Sequence, residues 1–169
     1  MRNIIIDYLS TNDYDNLPYK SAVIELEKHD VIKCNNIDSF KEEIEKLSIL
    51  DEDAIFTILS HGHIRGIAKE TYDTLITWCE LIEIVNRCKG MYYLKLNLSA
   101  ICNSFNIRTS AEFCNHKIDE FWVTNNETLS ISKSLLALKE NNFESFIYKL
   151  ENEEKILYGV IKPQLSKNN

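Results

Sequence analysis

Apolar runs of strand length punctuate the chain at residues 3–9, 31–34, 54–60, 92–100, 118–124 and 155–161. Between them apolar residues recur at helical spacing. Residues 17–29 carry Ala22, Val23 and Leu26, and residues 38–47 carry Phe40, Ile44 and Leu47. Residues 79–88 carry Leu81, Ile82 and Val85. Residues 127–140 carry Leu129 and Leu136, and residues 142–151 carry Phe143, Phe146, Ile147 and Leu150. Boundary signals agree with this partition. Pro18 is tolerated near a helix start, Asp38 or Ser39 can cap the second helix, and Lys89-Gly90 closes the third. Pro163 makes the last strand an edge strand. Residues 10–16 read as a polar loop and residues 103–117 as polar and irregular. Residues 62–74, with Gly62 and Gly66, read as a loop or short hairpin, followed by a strand edge at 75–78.

Strands alternating with helices predict an α/β fold. The expectation is a three-layer sandwich, with a mostly parallel six-stranded sheet and helices on both faces. Residues 1–165 form one domain in this reading, and residues 166–169 a disordered tail. In parallel sheets, sites form where loops leave the C-terminal ends of the strands.

Composition narrows the class. The 169 residues are 44% hydrophobic and 27% charged, ordinary for a globular protein. A net charge of −7 and a pI near 5.1 argue against nucleic acid and anionic membranes as partners. No apolar run reaches membrane-spanning length, and the N-terminus lacks the pattern of a signal peptide. The five cysteines, Cys34, Cys79, Cys88, Cys102 and Cys114, are odd in number and lack framework spacing, which fits a reduced, cytoplasmic setting.

Two of the apolar runs end on reactive side chains. The run at 54–60 stops at Ser60-His61-Gly62, and the run at 92–100 leads to Cys102. On neighbouring strands, His61 and Cys102 would face one another across a small cleft. An imidazole can take the proton of a thiol or stabilise its thiolate, and then serve as general acid. Acyl transfer also needs oxyanion donors, which the N–H groups of Gly62 and Cys102 can supply. Asp73 and Asp119 are unranked candidates for a third, orienting group. Taken alone, Cys102 has a structural reading as a buried strand-end thiol, and His61-Gly62 has a turn-forming one.

These residues resemble the caspase-like clan of cysteine peptidases, which includes caspases, metacaspases, separases and the prokaryotic CHAT group. Leu59 to Gly62, L-S-H-G, is similar to the histidine motif. Thr74 to Leu81, T-L-I-T-W-C-E-L, resembles the CHAT segment between the motifs. Leu96 to Ser104, L-N-L-S-A-I-C-N-S, is similar to the cysteine motif. The two motif residues lie about 40 positions apart, near the ~50 of caspases. The resemblance implies a caspase-haemoglobinase-like fold and a thiol protease, with Cys102 as nucleophile, His61 as general acid–base, and the Gly62 and Cys102 amides as oxyanion hole. Ser104 stands where many relatives keep a glycine. The implied substrate is a protein or peptide, the implied control a regulatory partner or activating ligand, and the implied setting prokaryotic defence or cell death. No cofactor or metal is expected.

Arg65 and Arg108 are candidates to face an acidic substrate side chain. Asp73, Glu112 and Asp119 are candidates for a basic one. Each also reads as a solvated surface charge. Cys102, Cys114 and His116 fit no paired zinc spacing. His29 and His116 read as surface residues. Two rival readings stand beside the peptidase. One is a catalytically inactive caspase-like or flavodoxin-like interaction module with a structural Cys102. The other is a TIR-like NAD hydrolase using Glu80 or Glu83.

Overall fold

The computed structural model describes residues 2–15, 26–47, 51–70, 75–88, 93–114, 116–124 and 158–161. Most of the helix expected at 17–29 lies outside these residues. So do the helices expected at 127–140 and 142–151, Lys89-Gly90, Asp73 and the tail.

The elements, in chain order, are β1 (Arg2–Asp7), β2 (Val31–Lys33), α1 (Ile37–Leu47), β3 (Ala54–Leu59), β4 (His61–His63) and β5 (Gly66–Ala68). Then come β6 (Ile76–Thr77), α2 (Trp78–Val85), β7 (Leu94–Asn97), α3 (Ile107–Phe113), β8 (Glu120–Thr124) and β9 (Tyr158–Ile161). The main sheet runs β2-β1-β3-β7-β8-β9. Its first five strands are parallel, and β9 pairs antiparallel with β8 at the edge. The α/β class expected from the sequence therefore holds. A second, antiparallel sheet of β4, β5 and β6 is inserted between β3 and α2.

Burial explains the order. Every residue of β3 is buried, as a central parallel strand requires. One sheet face presents Ile4, Ile6, Phe56, Ile58, Leu96, Phe121 and Val123 to a core completed by Phe40 and Ile44 of α1, Leu81, Ile82 and Val85 of α2, and Ile107 and Ala111 of α3. Each of these side chains other than that of Ala111 contributes roughly 1.5–3 kcal/mol on burial. The opposite face, with Ile5, Ile55, Leu59 and Trp122, is buried too.

Local chemistry sets the helix starts. Asn36, rather than Asp38 or Ser39, caps α1: its Oδ1 accepts from the Ser39 N–H at 2.8 Å, while the Ser39 Oγ accepts from the Asn35 and Asn36 N–H groups. Thr77 caps α2 in a reciprocal box with Glu80.

Three sequence expectations are corrected. Residues 103–117 are not irregular: a 3-10 turn, Ser104–Asn106, leads into α3, which buries Ile107 and Ala111 four residues apart. The strand expected at 92–100 stops at Asn97, because Leu98, Ala100 and Ile101 are buried in a turn and not in a strand. His29 and His116 are half-buried rather than surface residues. His116 has Nε2 3.2 Å from the Ala111 carbonyl and Nδ1 accepting from the Ile118 N–H, and burial lowers its pKa.

Asp7 ends β1 with its carboxylate buried, accepting from the Leu9 N–H at 3.1 Å. Burial pushes its pKa up, and the Leu9 N–H together with the Lys33 and Lys69 charges offsets this only in part. The folded chain thus holds this proton more tightly than the unfolded chain does. Its contribution to stability is present below the unfolded pKa and lost as pH rises through the folded one. Asp7→Asn keeps the carbonyl acceptor and removes the buried charge. In urea titrations it should unfold at a higher midpoint than wild type at pH 7, with the advantage shrinking as pH is lowered toward 4 (roughly the ordinary carboxylate pKa). A difference independent of pH would contradict this account.

Candidate active site

Three loops leave the C-terminal ends of adjacent parallel strands β1, β3 and β7. Chain direction across the sheet reverses between β1, whose successor β2 lies on one side, and β3, which lies on the other. Such a switch point is where doubly wound sheets open a crevice.

The loop after β1 supplies Asp13. Tyr8 N–H still bonds the Leu59 carbonyl, and the chain then folds into a 3-10 turn, Asp13–Asp15. The Asp13 Oδ2 accepts from the Ser10 N–H at 2.8 Å and the Ser10 hydroxyl at 3.0 Å. Its Oδ1 lies 3.0 Å from His61 Nε2. The two side chains are 14% and 30% exposed, so the contact is partly screened and not fully buried. The carboxylate that meets His61 is therefore Asp13, which is neither of the two candidates drawn from the sequence. Asp119 sits at the opposite end of the sheet, where its Oδ2 accepts from the Leu94 N–H at the start of β7. Asp73 lies outside the described residues.

The loop after β3 is the small sheet. Ser60 breaks the strand, its hydroxyl donating to the Ala68 carbonyl at 2.7 Å. His61 thus begins β4 and does not end β3, a correction to the expected strand-end position. His63 faces Gly66 and His61 faces Ala68 across the hairpin. The pair that closes a two-residue turn exchanges hydrogen bonds, so the next pair, Gly62 with Ile67, does not. The Gly62 N–H therefore points out of the hairpin. Trp78 holds the hairpin tip, donating from its backbone N–H to the Arg65 carbonyl at 3.1 Å and from Nε1 to the Ile64 carbonyl at 3.0 Å.

The loop after β7 carries Cys102, five positions past the last strand residue and not at a strand end. Buried polar groups fix both its flanks. Asn97 donates to the Thr57 hydroxyl at 3.2 Å, and its carbonyl accepts from the Ser99 hydroxyl at 2.7 Å. Leu98 N–H bonds the Trp122 carbonyl. On the other flank, Asn103 is left-handed at φ 59°. Ser104 is buried, and its hydroxyl accepts from the Thr124 N–H at 2.9 Å. Ser104 thus anchors the turn to β8.

The structure brings Gly62 and Cys102 into backbone contact. A Cβ on Gly62 would lie 1.9 Å from the Cys102 carbonyl oxygen and 2.7 Å from its nitrogen. Among the described residues neither the Gly62 N–H nor the Cys102 N–H has a backbone acceptor. Strand alternation directs His61 to the opposite face of the hairpin from Gly62, toward Asp13. No described hydrogen bond joins His61 to the half-exposed Cys102 thiol.

The remaining candidates separate. Arg65 is exposed at the hairpin turn and has no ion pair among the described residues, whereas Arg108 pairs with Glu112 at 3.2 Å along α3. Glu80 is committed to the α2 cap, which holds its carboxyl below the usual range, and Glu83 is exposed. His63 is exposed, its Nδ1 accepting from the Arg65 N–H. No cluster of potential metal ligands occurs among the described residues, and none of their helices is long and apolar enough to cross a membrane. No protein-family model matches the chain, and no curated protein matches it.

Gly62→Ala should lower the unfolding free energy by roughly 1–3 kcal/mol through overpacking and speed alkylation of Cys102 by displacing its turn. Gly66→Ala meets the Ile76 carbonyl at 2.0 Å and makes a matched control. It should destabilise comparably without changing Cys102 reactivity. Equal alkylation rates in the two variants would refute the stated role of the Gly62 contact.

Proposed function

We propose that the protein is a caspase-like cysteine endopeptidase, with Cys102 as nucleophile and His61 as general acid–base. The observation that carries this reading is the close approach of the Gly62 and Cys102 backbones, whose N–H groups have no backbone acceptor among the described residues, beside a thiol and near a histidine braced by a carboxylate. The parallel sheet, buried on both faces and ending in an antiparallel edge strand, is consistent with the three-layer, six-stranded arrangement of that clan.

The Cys102 thiolate attacks the scissile carbonyl, and the two N–H groups stabilise the oxygen that becomes negative. Asp13 at Nε2 makes that nitrogen the proton carrier, leaving Nδ1 of His61 to exchange a proton with the thiol and the leaving amine. His61 and Gly62 diverge, so thiol and imidazole act across the scissile peptide and not through a resting hydrogen bond. Water then hydrolyses the thioester. Arg65, at the turn of the hairpin that carries Gly62, favours an acidic residue in the cleaved segment. Control falls to a partner protein or activating ligand, and the resemblance suggests prokaryotic defence or cell death as the setting.

One observation favours an interaction module instead: His61 is held by Asp13 with no described bond to Cys102. Hydrolysis of a fluorogenic peptide library separates the two. Cys102→Ala and His61→Ala should abolish cleavage, and Asp13→Asn should lower kcat by about 100-fold through misorientation with little change in KM. Cleavage surviving Cys102→Ala defeats the peptidase reading. No cleavage by wild type, with Cys102 inert to peptidyl electrophiles, favours the interaction module.

A further inference from the structure

Outside this site, two cysteines from different helices meet. Cys79 is in the first turn of α2, and Cys114 is the residue that ends α3. Their sulfurs lie 2.7 Å apart, although 35 positions separate them in sequence. Both are half-buried, and no disulfide joins them. Cys34 and Cys88, by contrast, are fully buried. The helices are already packed, with Leu81, Ile82, Ile107 and Ala111 in one core, so the sulfurs stand within a short step of a bond of about 2.05 Å.

We propose that Cys79 and Cys114 are an oxidisable dithiol that forms a reversible disulfide clasp between α2 and α3. A peroxide is the oxidant. One of the two sulfurs attacks a peroxide oxygen, giving a sulfenic acid and releasing water. The other sulfur then attacks the sulfenic sulfur, expelling its oxygen as a second water. The two thiols lose two electrons and two protons, and the peroxide gains them. A dithiol reductant reverses the reaction through a mixed disulfide. Burial, together with the neighbouring Cys79 and Glu83, pushes the Cys114 thiol up to about 11, and Glu83 also lies 3.9 Å from the Cys79 sulfur, so either sulfur can make the first attack and the other completes the bond.

The clasp encloses β7 and the Cys102 turn, and it fixes the helix that follows that turn. Cys102 itself takes no part, so the inference does not depend on the peptidase reading.

The test uses the full chain, reduced and then treated with hydrogen peroxide. Peptide mapping after alkylation should recover a Cys79–Cys114 cross-link, with an intact-mass loss of two hydrogens. The melting temperature should rise by roughly 5–10 °C, as expected for closing a loop of this length, and return on adding dithiothreitol. Cys79→Ser and Cys114→Ser should each abolish the rise. If a serine variant fails to fold, the wild-type cross-link and its reversal still decide the matter. Both thiols remaining separately alkylatable after peroxide, or a cross-link between other cysteines, would overturn the proposal.

Discussion

The backbone contact between Gly62 and Cys102 constrains everything around it. There is no room for a side chain between the two residues, since even a methyl group would overlap the Cys102 carbonyl. That contact ties the small antiparallel sheet to the turn after β7 and sets the Gly62 and Cys102 backbones side by side. The supporting interactions are polar and buried. Asn97, Thr57 and Ser99 hold one flank of the turn, and Ser104 holds the other against β8. Such networks rigidify a site when every member is satisfied.

The parallel sheet supplies the second constraint. Because β1, β3 and β7 are adjacent and co-directional, their following loops emerge together. Asp13, Gly62 and Cys102 come from segments far apart in sequence, yet no long loop is needed to bring them close. The carboxylate is itself positioned by Ser10, so the orientation of His61 traces back to a tight turn at the end of β1.

Much of this is legible in the chain. The faces of α1 and α2 repeat at helical spacing, and β3 is apolar at nearly every position. The proximity of Gly62 to Cys102 follows from two such strands being neighbours. Asp13 is not legible. It sits in a polar loop, 48 positions from His61, and its role depends on β1 pairing with β3, which no local pattern encodes. The apolar run overstates β7 because Leu98 and Ile101 are buried without being extended. The pattern hides α3 because Ile107 and Ala111 are its buried positions and the residues between them are polar. Ser104 reads in the sequence as a departure at the active site, whereas its side chain faces β8.

The central claim is that the Gly62 and Cys102 amides form an oxyanion hole for chemistry at the Cys102 sulfur. A crystal structure of the protein reacted with a peptide aldehyde tests it most directly, because thiol addition creates a tetrahedral carbon whose oxygen mimics the one formed in acyl transfer. The account predicts a covalent bond from the aldehyde carbon to Cys102 Sγ, with the new oxygen about 2.7–3.1 Å from both N–H nitrogens. An adduct whose oxygen points to solvent, or an adduct on another cysteine with Cys102 unmodified, would contradict it.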